Sequence, residues 1–159
     1  MSGMRAEWDA KVRGESCPLC APRAESSSEW DFVAKLSIAS LYLAKNQTYT
    51  GQCILIFDPR HAARPDELSR EEWARFAEDS RRASNAVMRA ARPDHVNLAS
   101  LGNVVPHLHW HVIPRYLGDA RWGAPIWTND LAEMKNVRIE PNAQAALVAR
   151  LRAALEEGA

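Results

Sequence analysis

The stretch His107-Leu108-His109-Trp110-His111-Val112-Ile113 decides how the rest of this chain is read. On an extended backbone successive side chains point to opposite faces, so His107, His109 and His111 share one face and Leu108, Trp110 and Val112 the other. Neighbouring histidines then stand roughly 6.5–7 Å apart. The apolar side is what a strand needs to pack on a core, and it leaves three imidazoles on the opposite side. Two chemistries suit them. His-x-His on a strand can present two nitrogens to one zinc. Alternatively, a neutral imidazole can attack phosphorus while its neighbours position the phosphate and the leaving group.

The flanking segments predict an α+β domain. Val33 to Leu43 alternates and reads as one broken strand or two short ones, and Cys53-Ile54-Leu55-Ile56-Phe57 as a central strand ended by Asp58-Pro59. Val96 to Ser100 is a further strand, and the histidine stretch runs on until Pro114. Asp66 to Ala91 carries the clearest helical pattern. Leu68, Trp73, Phe76, Ser80, Ala83 and Val87 fall on one face, with Arg75, Glu78, Asp79 and Arg82 on the others. Ser69 and Glu72 form a capping box, and Arg92-Pro93 stops the helix. Asn142 to Glu157 closes the chain with a second amphipathic helix, while residues 1–29 read as a polar lead-in with a flexible Glu25–Glu29 loop. The expected architecture is an antiparallel sheet of about five strands with one long helix on a face and a C-terminal helix.

Composition narrows the partners. With 159 residues, 47% hydrophobic and 25% charged, the chain has the make-up of one soluble domain. Twenty basic residues balance twenty acidic ones, which argues against nucleic acid as the main partner, because phosphate neutralisation needs a basic surplus. A small phosphorylated ligand needs only a local site. Three cysteines and a charged N-terminus without an apolar leader predict a cytoplasmic protein. No stretch approaches the ~20 apolar residues of a membrane span.

His107-x-His109-x-His111-Val112-Ile113-Pro114-Arg115 resembles the signature of the histidine-triad (HIT) superfamily of nucleotide hydrolases and transferases. Ile56-Phe57-Asp58-Pro59-Arg60-His61 followed by Pro65-Asp66-Glu67-Leu68-Ser69 is similar to the segment between a central strand and the long helix in that superfamily, especially in its galactose-1-phosphate uridylyltransferase branch. The whole chain looks most like a small bacterial HIT hydrolase of the dinucleoside-polyphosphate type. The implied organisation is a lead-in over 1–29, a HIT domain over 30–129 and a C-terminal extension over 130–159. His109 becomes the nucleophile, attacking the α-phosphorus of a nucleotide to give a nucleotidyl-imidazole that water hydrolyses. Its other ring nitrogen should donate to a carbonyl. His111 becomes the phosphate ligand or leaving-group donor, and its being His rather than Gln places the chain with the hydrolases. Asn97, Asn103 and Ser100 are the expected phosphate or ribose contacts. The preceding Leu101-Gly102-Asn103-Val104-Val105-Pro106 departs from the family's Gly-rich loop, with one glycine and Val104 near the expected hydroxyl.

Cys17-Pro18-Leu19-Cys20 is a zinc half-site, a redox pair or two small loop residues. The resemblance implies a structural zinc held by Cys17, Cys20, His61 and His107, with no organic cofactor. His61 is otherwise a surface residue beside the helix. Cys53 reads as a core cysteine and His95 has no assigned role. Trp73 and Trp110 read as core, whereas Trp122 and Trp127 can cover a nucleobase or a partner subunit. A homodimer is expected from the family. Two further readings stay open: a metal-dependent hydrolase with the three histidines as zinc ligands, and a non-catalytic nucleotide- or zinc-binding module.

Overall fold

The structure is a computed structural model, and it describes residues 2–119, 122–126 and 137–158. In chain order the elements are α1 (Ser2–Val12), β1 (Trp30–Lys35), β2 (Ala39–Ala44), β3 (Cys53–Phe57), α2 (Arg70–Ala91), β4 (His95–Ala99), β5 (His109–Arg115) and α3 (Pro141–Glu157). The strands form one antiparallel sheet in the order β1-β2-β3-β5-β4, and α2 and α3 pack against it and against each other. The α+β architecture is as expected.

Alternation divides the sheet into two faces. Leu41, Leu43, Leu55, Phe57 and Val112 point toward the helices and are fully buried against Phe76, Ala83, Val87, Leu147 and Leu151. At about 1.5–3 kcal/mol for each large side chain removed from water, this layer dominates the stabilisation. Tyr42, Ile54, Ile56, His109 and His111 line the opposite face, where Leu19 and Val105 cover part of it. The histidines therefore lie outside the main core but over a rigid floor.

Helix α2 begins as its capping box dictates: the Ser69 hydroxyl accepts from the Glu72 N–H and the Glu72 carboxylate from the Ser69 N–H. Pro65–Glu67 forms a separate 3-10 turn, so the helix starts at Arg70 rather than Asp66. Two residues of α2 fall differently from their expected faces. Trp73 is 38% exposed, although its ring lies against Phe76 and Trp110. Asp79 is wholly buried. Its carboxylate accepts from the backbone N–H groups of Ser37, Ile38 and Ala39 at 3.1, 2.8 and 3.0 Å, which ties the β1–β2 turn to the helix. Asp79→Ala leaves those donors without their acceptor, and unfolding titrations should show a loss of about 4 kcal/mol. A loss under about 1 kcal/mol would mean that water readily takes its place.

Three other boundaries differ from the sequence reading. The lead-in contains α1, whose polar surface carries no apolar stripe to announce it. The Glu25–Glu29 run is a hydrogen-bonded turn in which Ser27 Oγ accepts from the N–H groups of Glu29 and Trp30. Strand β5 starts two residues later than expected and continues through Pro114. The Arg115 carbonyl faces β4, accepting from Asp94 N–H, so Pro114 turns toward the side where pairing with β3 has ended at Val112. A proline there costs the sheet no hydrogen bond.

Candidate active site and metal cluster

His107 does not extend the strand. The chain bends at it, with the His107 N–H donating to the Val105 carbonyl and the Leu108 N–H to the Ala62 carbonyl. Only His109 and His111 share the helix-free face of β5, opposite Ile56 and Ile54 of β3. The buried His107 ring instead meets the cysteine pair.

Its carbonyl holds the next histidine. His109 Nδ1–H donates to the His107 oxygen at 2.5 Å, which assigns the tautomer and leaves the lone pair on Nε2. Burial lowers the His109 pKa, opposed by that same hydrogen bond. The His111 ring lies 5.2 Å away, edge to face. Burial, then the neighbouring His109, pushes its pKa down to about 4. Both rings are neutral at pH 7. A neutral imidazole with one nitrogen pinned to a carbonyl is a competent nucleophile toward phosphorus.

The His111 shift has a measurable consequence. An unfolded histidine titrates near 6.5, so between there and pH 4 the unfolded chain binds a proton that the folded chain excludes. Stability should therefore fall as pH drops from 7 to 5, by up to about 2 kcal/mol from this residue. Urea titrations at both pH values should show a shallower dependence in His111→Gln. An unchanged dependence would mean that His111 protonates as freely in the fold as in water.

Two clefts border β5, and one of them includes His111. One of about 230 Å³ lies toward β3 and is lined by His111, Trp30, Ile54, Lys45 and Asn46. The other, about 490 Å³, lies toward β4 and is lined by Asn97, Ala99, Ile113 and Trp122 among others. Asn97 is half-buried, and its Oδ1 accepts from Arg115 Nη1 at 3.0 Å, which leaves the amide NH2 as its second polar end. Ser100 and Asn103 are exposed in the segment between β4 and His107. Among the described residues neither hydrogen-bonds to a histidine of the triad. Trp122 is 45% exposed, Trp127 lies outside the described residues, and His95 begins β4 at the rim of the larger cleft.

The four expected metal ligands come together. One donor atom each from Cys17, Cys20, His61 and His107 lies within 4.8 Å of every other. His107 Nδ1 is 3.5 Å from Cys17 Sγ and 3.4 Å from Cys20 Sγ, and His61 Nδ1 is 3.5 Å from Cys20 Sγ. A tetrahedral zinc with Zn–S near 2.3 Å and Zn–N near 2.05 Å would separate a sulfur and a nitrogen ligand by about 3.5 Å, which these three sulfur–nitrogen distances match. Both remaining ring nitrogens donate to carbonyls, His107 to Phe57 at 2.7 Å and His61 to Val12 at 3.0 Å. That outer shell orients each Nδ1 lone pair toward the thiols. Burial, reinforced by the neighbouring Cys17, raises the Cys20 thiol to about 11 without a metal; a bound cation would reverse that. Gly14 is the component that sequence reasoning missed. Its φ is +84°, and a Cβ there would stand 2.8 Å from the His61 ring, so the turn after α1 can close over the ligand only with glycine. Cys53 takes no part and is buried in the core, where burial pushes its thiol up.

An antiparallel sheet with a pinned imidazole on its helix-free face, beside a thiol–imidazole cluster, defines a histidine-bearing α+β domain. Residues 36–118 match the HIT domain family, more than half of the chain, and the protein belongs to that family. Among solved structures it is similar to a histidine triad protein of Bradyrhizobium japonicum, with a TM-score of 0.73 and 23% identity over 87% of this chain and 99% of that one. A histidine triad protein from Marinobacter aquaeolei VT8 superposes with a TM-score of 0.71 and 29% identity over 82% of this chain and 92% of that one. A zinc-bound histidine triad family protein from Mycobacterium smegmatis gives 0.57 and 21% over 95% and 93%. No curated protein matches the sequence. Among the described residues no helix is long and apolar enough to cross a membrane.

Proposed function

We propose that the protein hydrolyses a nucleotide at its α-phosphorus, cleaving a phosphoanhydride or phosphoramidate bond through a nucleotidyl-His109 intermediate. The observation that carries this reading is the His109 Nδ1–H bond to the His107 carbonyl, which leaves an unprotonated Nε2 in a neutral ring against His111, itself part of the wall of a cleft. Nε2 attacks phosphorus, the P–N bond forms and the bond to the leaving group breaks. The positive charge that develops on the ring is stabilised by the same carbonyl. His111 and the Asn97 amide hold phosphate oxygens, and Ser100 and Asn103 serve as outlying polar contacts. A polyphosphate leaves as an anion and needs no proton, which suits a His111 that stays neutral, whereas the amine of a phosphoramidate leaves with a proton taken from solvent. Water then attacks phosphorus, the P–N bond breaks, and the ring returns to neutral as the water's proton passes to solvent.

The metal assigned to Cys17, Cys20, His61 and His107 is zinc, in a structural role. Four protein ligands leave no position for water, and its chemistry is to hold the N-terminal segment against the sheet. Among the described residues the metal-competent group contains neither His109 nor His111, which favours the nucleophile over a zinc hydrolase built on all three histidines. A second copy of the chain is the proposed partner, docked along edge strand β4 with its exposed Leu98. Hydrolysis assays comparing dinucleoside polyphosphates with nucleoside phosphoramidates test the function. Release of a nucleoside monophosphate is expected, and tight binding with no turnover of any substrate would reduce the protein to a binding module.

A further inference from the structure

We propose that Cys17 and Cys20 form a peroxide-sensitive clasp: oxidation joins their sulfurs in a disulfide, releases the metal and frees the N-terminal segment from the sheet. This rests on the zinc assignment above and not on the hydrolase reading. The turn geometry permits the bond. The Cys20 N–H donates to the Cys17 carbonyl at 3.2 Å, closing a turn over Cys17-Pro18-Leu19-Cys20. Such a turn holds its end Cα atoms within about 7 Å, and disulfides span Cα separations of about 4.4–6.8 Å. The two sulfurs already lie within 4.8 Å of each other, so the bond asks for side-chain rotation rather than a new backbone path.

Access selects the sulfur that reacts first. Cys20 is exposed and Cys17 half-buried. A polar cleft of about 430 Å³ reaches Cys20, His61 and His107, and Cys17 is not among its lining residues. Arg23, Lys35 and Arg60 stand in its wall against the single carboxylate of Asp58, a balance that favours a thiolate and the hydroxide it displaces. The Cys20 thiolate attacks one oxygen of hydrogen peroxide, the O–O bond breaks, and hydroxide leaves a sulfenic acid on Cys20. The Cys17 thiolate attacks that sulfur, the S–S bond forms, and a second hydroxide leaves. Two electrons pass from the sulfurs to the peroxide, and two protons from solvent turn both hydroxides into water. Two imidazoles of the four ligands remain, too few to hold the cation. A bridge within four residues ties nothing to His61 or His107. Leu19, 5% exposed between the cysteines, packs with Ile56 and Tyr42, and Ile56 stands opposite His109. The clasp therefore also governs how firmly that side of the histidine face is covered.

The test treats zinc-loaded protein with a few equivalents of hydrogen peroxide and follows released metal with a chromophoric indicator. One zinc per chain should appear as two thiols disappear, and the Cys17–Cys20 peptide should become about 2 Da lighter. The unfolding temperature should fall to the value reached with chelator, and hydrogen exchange should rise over residues 2–20. A thiol reductant with added zinc should reverse these changes. Cys20→His keeps four zinc-binding side chains but removes the thiol on the cleft, and should hold its metal in peroxide. Three results overturn the clasp while leaving the zinc assignment intact: zinc that stays bound, release with an unchanged unfolding temperature, or release through sulfinic acid that reductant does not repair. A reduced protein that binds no zinc overturns the assignment, and the clasp with it.

Discussion

His109→Ala should lower hydrolysis by about 10⁴-fold or more while the protein stays folded. The size follows from the role. Removing a covalent nucleophile takes away the whole two-step route, and in enzymes whose reacting groups act as a unit such losses reach that order. Little of it can come from misfolding, because His109 lies on the helix-free face and the aliphatic layer beneath does not depend on it. Unfolding temperature should therefore change by only a few degrees. A nucleotide labelled at its α-phosphate should stay with the original protein after rapid denaturation in base and wash off the variant. If His109→Ala keeps a tenth of the original rate, the covalent route is wrong.

The second large effect concerns the thiol–imidazole cluster. The purified protein should carry close to one zinc per chain, and a strong chelator should lower its unfolding temperature by about 10 °C. A ligand present at 100–1,000 times its dissociation constant stabilises by about 3–4 kcal/mol, and a chain of this size gains roughly 2–4 °C per kcal/mol. Cys20→Ser should reproduce the shift without chelator, since Cys20 approaches both ring nitrogens. Loosening should concentrate in residues 2–24, which reach the sheet through Cys17, Leu19 and the Val12–His61 bond. Hydrogen exchange would show this directly. A protein that purifies without metal and melts identically with chelator would leave the cluster as two ordinary thiol–imidazole contacts.

Much of the scaffold is legible in the residues themselves, because local chemistry decides it. Ser69 and Glu72 fix where α2 starts whatever surrounds them, and the apolar run at Cys53–Phe57 makes a buried central strand. What escapes is set by distant partners. Asp79 reads as a surface carboxylate because its acceptors' partners lie about 40 residues earlier in the chain. The alternation through His107 continues in the sequence, yet the backbone bends there because Leu108 N–H is claimed by Ala62. Helix α1 has no apolar stripe at all. The cysteine pair alone left three meanings open, and convergence with His61 and His107 is a property of the fold.

His107 plays two parts with two different pieces of itself. Its ring belongs to the cluster, and its carbonyl orients the neighbouring ring two residues on. Every amino acid brings a carbonyl, whereas few bring an imidazole. The two parts are therefore genetically separable: a lineage that discarded the cysteines could also replace this histidine and still keep the tautomer at position 109, provided that the bend was preserved.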